Sequence, residues 1–216
     1  MDLTNYIFGV AEWLGIIAFS ISGAMLAVER RFDLFGVITL GVISTLGGGI
    51  IRDLLLGQTP PRFFYNYRYV LVSALISVAV FAVAKRVSGK NNSLGIGEKL
   101  LKLNMIFDAI GLGAFTVTGV QAAMDFGHEK NAFLCISLGV ITGIGGGVLR
   151  DMMSQRAPAI LVKHIYAVAA IIGAILYYWL FIMAIDQRIC LMAGMVSTVV
   201  VRLLASHYRW GLPKAY

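Results

Sequence analysis

The stretch "TLGVISTLGGGIIRD", residues 39–53, aligns without a gap to "SLGVITGIGGGVLRD", residues 137–151. Nine of the fifteen positions are identical, at an offset of 98. Upstream, "AFSISG" at 18–23 matches "AFTVTG" at 114–119, which sets Glu12 opposite Asp108 and Gly15 opposite Gly111. Downstream, Pro60 falls opposite Pro158. Polar residues recur inside otherwise apolar runs, which chance similarity between oily segments does not produce, so the chain reads as an internal duplication. Its fold has to accommodate two copies of one unit.

The medium follows from composition. The 216 residues are 59% hydrophobic and 13% charged, with a mean hydropathy of +0.83; a soluble domain carries about 25% charged residues. Apolar runs of about 20 residues, enough to cross the hydrocarbon core as helices, predict an all-α integral membrane protein. Seven spans are expected, at 6–28, 34–57, 67–84, 101–124, 132–154, 165–185 and 189–206. Each copy of the unit holds three. An odd number turns the second copy over, so the copies should be related by a pseudo-twofold axis in the membrane plane. The expected organisation is a first three-helix repeat (1–84), a Gly/Ser/Asn-rich linker (85–100), an inverted second repeat (101–185), and a seventh helix with a short tail (186–216). The first span lacks a basic leader and a cleavage site and reads as a retained helix.

The net charge of +7 lies in short connections between spans, as topology signals do, and not on a nucleic-acid-binding face. Eleven of the 18 Lys and Arg follow spans one, three and five or lie in the tail. Four (Arg62, Arg68, Lys130, Arg188) mark the opposite face. The bias predicts an external N-terminus and a cytoplasmic C-terminus. Arg202 in the last span is expected to snorkel to the interface. Cys135 and Cys190 sit in apolar stretches and read as free thiols. His128, His164 and His207 lack metal-ligand spacing, and no HExxH, GxSxG or Walker pattern occurs. An enzyme, a bound metal and a cofactor are therefore not expected, nor is a nucleic-acid partner.

The duplicated motif carries the chemistry. Gly47, Gly48 and Gly49, with Gly145, Gly146 and Gly147, permit either close helix packing or a kink or break in spans two and five. A kink or break is the expectation; a break would expose carbonyl oxygens able to replace part of a cation's hydration shell. Arg52–Asp53 and Arg150–Asp151 follow within the spans, where charge costs several kcal/mol unless paired or hydrated. They are candidate pore or gating residues, with snorkelling as the alternative. Ser20, Ser22, Ser44, Thr45, Thr116, Thr118 and Thr142 are candidate pore-lining hydroxyls, although each could instead bond a carbonyl of its own helix. Glu12 and Asp108 are candidate acids at a pore mouth.

Two three-span repeats, each with a glycine-rich second helix running into Arg-Asp, and a seventh span resemble the trimeric intracellular cation (TRIC) channel family, in its prokaryotic form. A related bacterial domain carries the name glycine transporter. The resemblance covers nearly the whole chain. It implies a homotrimer in the plasma (inner) membrane of a prokaryote, each subunit with its own pathway for monovalent cations, K⁺ foremost with Na⁺ also passing. K⁺ would meet backbone carbonyls transiently, bound lipid would accompany the protein, and gating would centre on helices kinked at Gly47–Gly49 and Gly145–Gly147. The alternatives are a secondary transporter for a small amino acid such as glycine, and a packing scaffold. A continuous polar pathway, an occluded midplane pocket or a solid apolar core would separate the three.

Overall fold

The computed structural model describes residues 3–88, 95–162, 165–208 and 210. The chain forms α1 (Leu3–Glu29), α2 (Leu34–Leu55), α3 (Arg68–Ser88), α4 (Gly95–Ala123), α5 (Ala132–Met153), a one-turn α6 (Ala159–Val162), α7 (Tyr166–Ile182) and α8 (Gln187–His207). A 3₁₀ turn at Arg62–Phe64 precedes α3, and a π turn at Met124–His128 prolongs α4. No strand occurs among the described residues. Among the described residues, six helices are long and apolar enough to cross a membrane; the 17-residue α7 carries no charge and is the sixth of the seven spans. Its length of roughly 26 Å is close to the ~30 Å of a hydrocarbon core. The expected 85–100 linker is shorter than its composition suggested. α3 continues to Ser88 and α4 begins at Gly95, while 89–94 lies outside the described residues.

Helix ends repeat with the sequence. The Asp33 carboxylate accepts from the Gly36 N–H at 2.7 Å and caps α2; Asn131, at the matching position, accepts from Leu134 N–H at 3.1 Å and caps α5. Each cap satisfies one of the amides that a helix start leaves without a partner. At the far ends, Gly57 (φ 72) and Gln155 (φ 54) both turn left-handed. There the amides of Gln58 and Arg156 bond back to the carbonyls of Asp53 and Asp151.

α1 and α4 form the centre, with 61% and 67% of their apolar windows buried against 11% for the peripheral α3. Their contacts are reciprocal. A methyl on Gly15 would strike the Phe115 ring, and one on Gly111 would strike the Phe19 ring. One on Gly23 would strike the Ser44 hydroxyl, and one on Gly119 the Thr142 hydroxyl. Where α2 crosses α5, a methyl on Gly48 would run into the Thr142 carbonyl, and one on Gly146 into the Ser44 carbonyl. A methyl on Gly145 would stand 3.0 Å from Gly48 Cα. Each contact recurs with the repeats exchanged, as a twofold axis requires. α3 packs on α1 and α2 as α7 packs on α4 and α5, whereas α8 packs on α7 and α4 and has no counterpart.

The glycines do not break their helices. α2 is α-helical from Leu34 to Leu55 and α5 from Ala132 to Met153, so no half-helix ends are exposed near Gly47–Gly49 or Gly145–Gly147. In a membrane, where lipid is as apolar as leucine, close backbone approach supplies the packing energy. Gly48 and Gly146 allow that approach, and an unwound turn would forfeit it.

Candidate functional site

The crossing separates two cavities, each framed by one copy of the motif. The first-repeat vestibule, about 40 Å³, is lined by Glu12, Thr45, Gly49, Arg52, Asp53, Arg62, Tyr69 and Thr142, among others. The second-repeat vestibule, about 360 Å³, is lined by residues including Asn104, Asp108, Arg150, Asp151, Arg156 and Arg202. They share no lining residue. The structure therefore holds no open continuous pathway through these two cavities.

Arg and Asp of the motif pair with each other in both copies. Arg52 Nε and Nη2 donate to Asp53 Oδ1 at 2.9 and 2.7 Å. Arg150 Nε donates to Asp151 Oδ1 at 3.0 Å. Adjacent side chains on a helix diverge by about 100°, but the guanidinium is long enough to fold back, and each aspartate is held from its other side. Asp53 Oδ2 accepts from Arg62 N–H at 2.9 Å, and Asp151 Oδ2 from Ala159 N–H at 2.8 Å. Each aspartate thus ties a helix end to the loop that follows. All four side chains are buried, so the snorkelling alternative does not apply to them.

Beyond this shared core the copies diverge. Arg150 Nη1 donates to Asp108 Oδ1 at 2.7 Å and to Ser22 Oγ at 2.8 Å, tying α5 to α4 and α1. Ser22 Oγ in turn donates to Asn104 Oδ1 at 2.6 Å. In the first repeat the Tyr69 hydroxyl donates to Glu12 Oε2 at 3.0 Å, and Arg52 makes no pair with Glu12. Tyr166, in the place of Tyr69, stands 3.4 Å from Asp108 Oδ1. Arg202 of α8 does not snorkel: it is 3% exposed, lines the second vestibule and lies 4.8 Å from the Tyr166 ring centroid. Helix α7 presents that ring where α8 passes, and a guanidinium over an aromatic face is stabilised by the ring quadrupole.

The hydroxyls separate into two groups. Ser20, Ser44, Thr45, Thr116 and Thr142 each donate to the carbonyl four residues earlier in the same helix. Thr118 sits 3.4 Å from the Phe115 carbonyl. Of the set, Thr45 and Thr142 line the first vestibule, and Ser22 joins the Arg150 network. Tyr69, Tyr166, Asn104 and Arg202 escaped the motif reading. The tyrosines were legible, because each stands eight residues after a proline, Pro61 and Pro158. The hydrogen bonds to the amides of Arg62 and Ala159 make Pro61, not Pro60, the counterpart of Pro158.

The chain is similar to known proteins in sequence and in fold. The family model described as Glycine transporter matches residues 9–85 and again 105–181, once on each repeat. The UPF0126 inner membrane protein YadS of Escherichia coli (strain K12) is 35% identical over 208 residues, covering 93% of this chain and 94% of that protein. A TRIC cation channel, solved for the structural basis of its conductance, superposes with a TM-score of 0.82 at 37% identity, covering 97% of this chain and 98% of that one. The TRIC trimeric intracellular cation channel orthologue from Rhodobacter sphaeroides superposes with a TM-score of 0.84 at 30% identity, covering 94% and 99%.

Proposed function

The chain belongs to the prokaryotic TRIC family, and from that premise we propose that it is a channel for monovalent cations, passing K⁺ and also Na⁺. It works as a homotrimer with one pathway per subunit, in contact with lipid in the inner membrane of a prokaryote, with its C-terminus in the cytoplasm. The observation that carries this reading is the pair of charged vestibules facing each other across the Gly48–Gly146 crossing. Charged side chains buried at membrane depth are retained where they line a permeation route. The likeness to TRIC cation channels supports the same conclusion.

In this reading the structure is a closed state. Opening requires α2 and α5 to kink or slide at their crossing, where the lack of Cβ atoms leaves backbones free to shift. The Arg150 ties to Asp108 and Ser22 hold α5 against α4 and α1, so their release accompanies opening. Arg52–Asp53 and Arg150–Asp151 fix the ends of the crossing helices. Thr45 and Thr142 offer hydroxyl oxygen to a passing cation at the floor of the first vestibule. Gly49 leaves space on the cavity side of the crossing.

The test is K⁺ efflux from proteoliposomes holding purified protein, run beside uptake of radiolabelled glycine and with an Arg52→Ala/Arg150→Ala double variant. K⁺ flux that needs no glycine and changes in the variant is the expected result. Saturable glycine uptake with no independent K⁺ leak would replace the channel with a transporter.

A further inference from the structure

The two vestibules differ in charge. The first is lined by two arginines, Arg52 and Arg62, against two carboxylates, Glu12 and Asp53. The second is lined by three arginines, Arg150, Arg156 and Arg202, against two carboxylates, Asp108 and Asp151. The imbalance traces to α8, the helix outside the duplicated unit, which brings Arg202 to a wall that the pseudo-twofold cannot match. The carboxylates of that wall are already engaged. Asp151 holds Arg150 Nε and the Ala159 amide, and Asp108 holds Arg150 Nη1 beside the Tyr166 hydroxyl. Arg202 makes no ion pair among the described residues, and its buried Nε has no hydrogen-bond partner. Stacking on Tyr166 stabilises this cation without cancelling its charge.

We propose that Arg202 is a specificity-determining residue: its unbalanced charge in the second-repeat vestibule makes the pathway discriminate against divalent cations. The inference rests on the channel reading above. Electrostatic repulsion scales with the charge of the permeating ion. Across one contact distance of water, a fixed unit charge depletes a monovalent cation about 5-fold and a divalent one about 30-fold. The ratio between them, again about 5-fold, is the selectivity that one arginine supplies. Arg202 lines a cavity of about 360 Å³, so it sorts ions by charge before they reach the crossing. Arg156 is half-buried on the same wall and contributes more weakly, because solvent screens it.

The experiment is a bi-ionic reversal-potential measurement in planar bilayers, K⁺ on one side and Mg²⁺ on the other, on the full-length protein. Arg202→Gln is expected to raise the Mg²⁺-to-K⁺ permeability ratio about 5-fold, and Arg202→Lys to keep the wild-type ratio. Arg188→Gln removes an exposed arginine paired with Asp186 and leaves the ratio unchanged. A structural role alone would alter channel number or open time without moving a reversal potential. If Arg202→Gln does not assemble, Arg202→Met, which keeps an unbranched side chain in that place and removes the charge, takes its place, with the same rise expected. Wild-type K⁺ current combined with an unchanged ratio in the vestibule variant that assembles overturns this inference and leaves the channel standing. Absence of K⁺ current in the wild-type protein overturns both.

Discussion

The two vestibules began as one design and have been finished differently. Both keep the adjacent Arg–Asp pair, both use the aspartate to clamp the following loop, and both set a tyrosine against an acid of the neighbouring helix. In the first, Glu12 is held by Tyr69 alone and the arginine stays within its own helix. In the second, Arg150 reaches across to Asp108 and Ser22, and α8 adds Arg202. The difference teaches that symmetry governs the scaffold while the unduplicated helix governs the electrostatics. A pathway through both meets a loosely held mouth on one side and a three-helix lock on the other.

The largest expected effect falls on what the copies share. Gly48→Ala and Gly146→Ala each drive a methyl into a backbone carbonyl that no rotamer change can move. Each should cost about 3 kcal/mol of stability or more, at the upper end for overpacking. The two losses should be equal and less than additive, because they occur at one crossing. Thermal unfolding in detergent checks this; clearly unequal losses would break the twofold description.

Next come the acids, where the copies should part. Asp108→Asn removes one carboxylate from a buried arginine and should cost about 3 kcal/mol, as breaking a buried pair does. It should also lengthen channel openings by freeing α5. Glu12→Gln retains an acceptor for Tyr69 and should cost about 1 kcal/mol or less. Unfolding and single-channel recording on the same two variants test the contrast. Gly147→Ala brings a methyl 2.9 Å from the Tyr166 hydroxyl, whereas at Gly49 the nearest atom is Arg52 Nη2, at 3.8 Å. The first should cost about 1 kcal/mol, and the second should be neutral or slightly stabilising, since alanine favours helix. The left-handed ends should part in sign. Gln155→Gly should stabilise by less than about 1 kcal/mol, and Gly57→Ala should destabilise by about 1 kcal/mol.

Much of this was legible in the sequence. The duplication of "GGGIIRD" as "GGGVLRD", the seven spans and the inverted arrangement follow from pattern and parity, and the structure has them. The pairing of Glu12 with Asp108 as equivalent acids also followed from alignment. What the glycines do did not, because a missing Cβ permits either a break or a close approach. The neighbour that decides between them, a carbonyl of Thr142 or Ser44, lies about a hundred residues away. Arg202 was misjudged for a similar reason. Its position in the last span suggested an escape to the interface, and nothing local reveals that α7 presents the Tyr166 ring there. The hydroxyls divided for want of rotamers, since Ser22 and Ser20 look alike in sequence but face different partners. Offsets of 96, 97 and 98 within one duplication hid the tyrosines, which a search from Pro61 and Pro158 would have found.

The central claim is that cations pass through these two vestibules. Gly49 lines the first and has room for a side chain, so Gly49→Cys places a thiol in the proposed pathway. The native thiols Cys135 and Cys190 are buried and serve as the unreactive background. K⁺ current recorded in planar bilayers while a charged methanethiosulfonate reagent is added measures the result. The account predicts that current through Gly49→Cys channels falls on modification while wild-type current holds. Full K⁺ current through channels shown by mass spectrometry to be modified at that cysteine would place the pathway elsewhere and contradict the account.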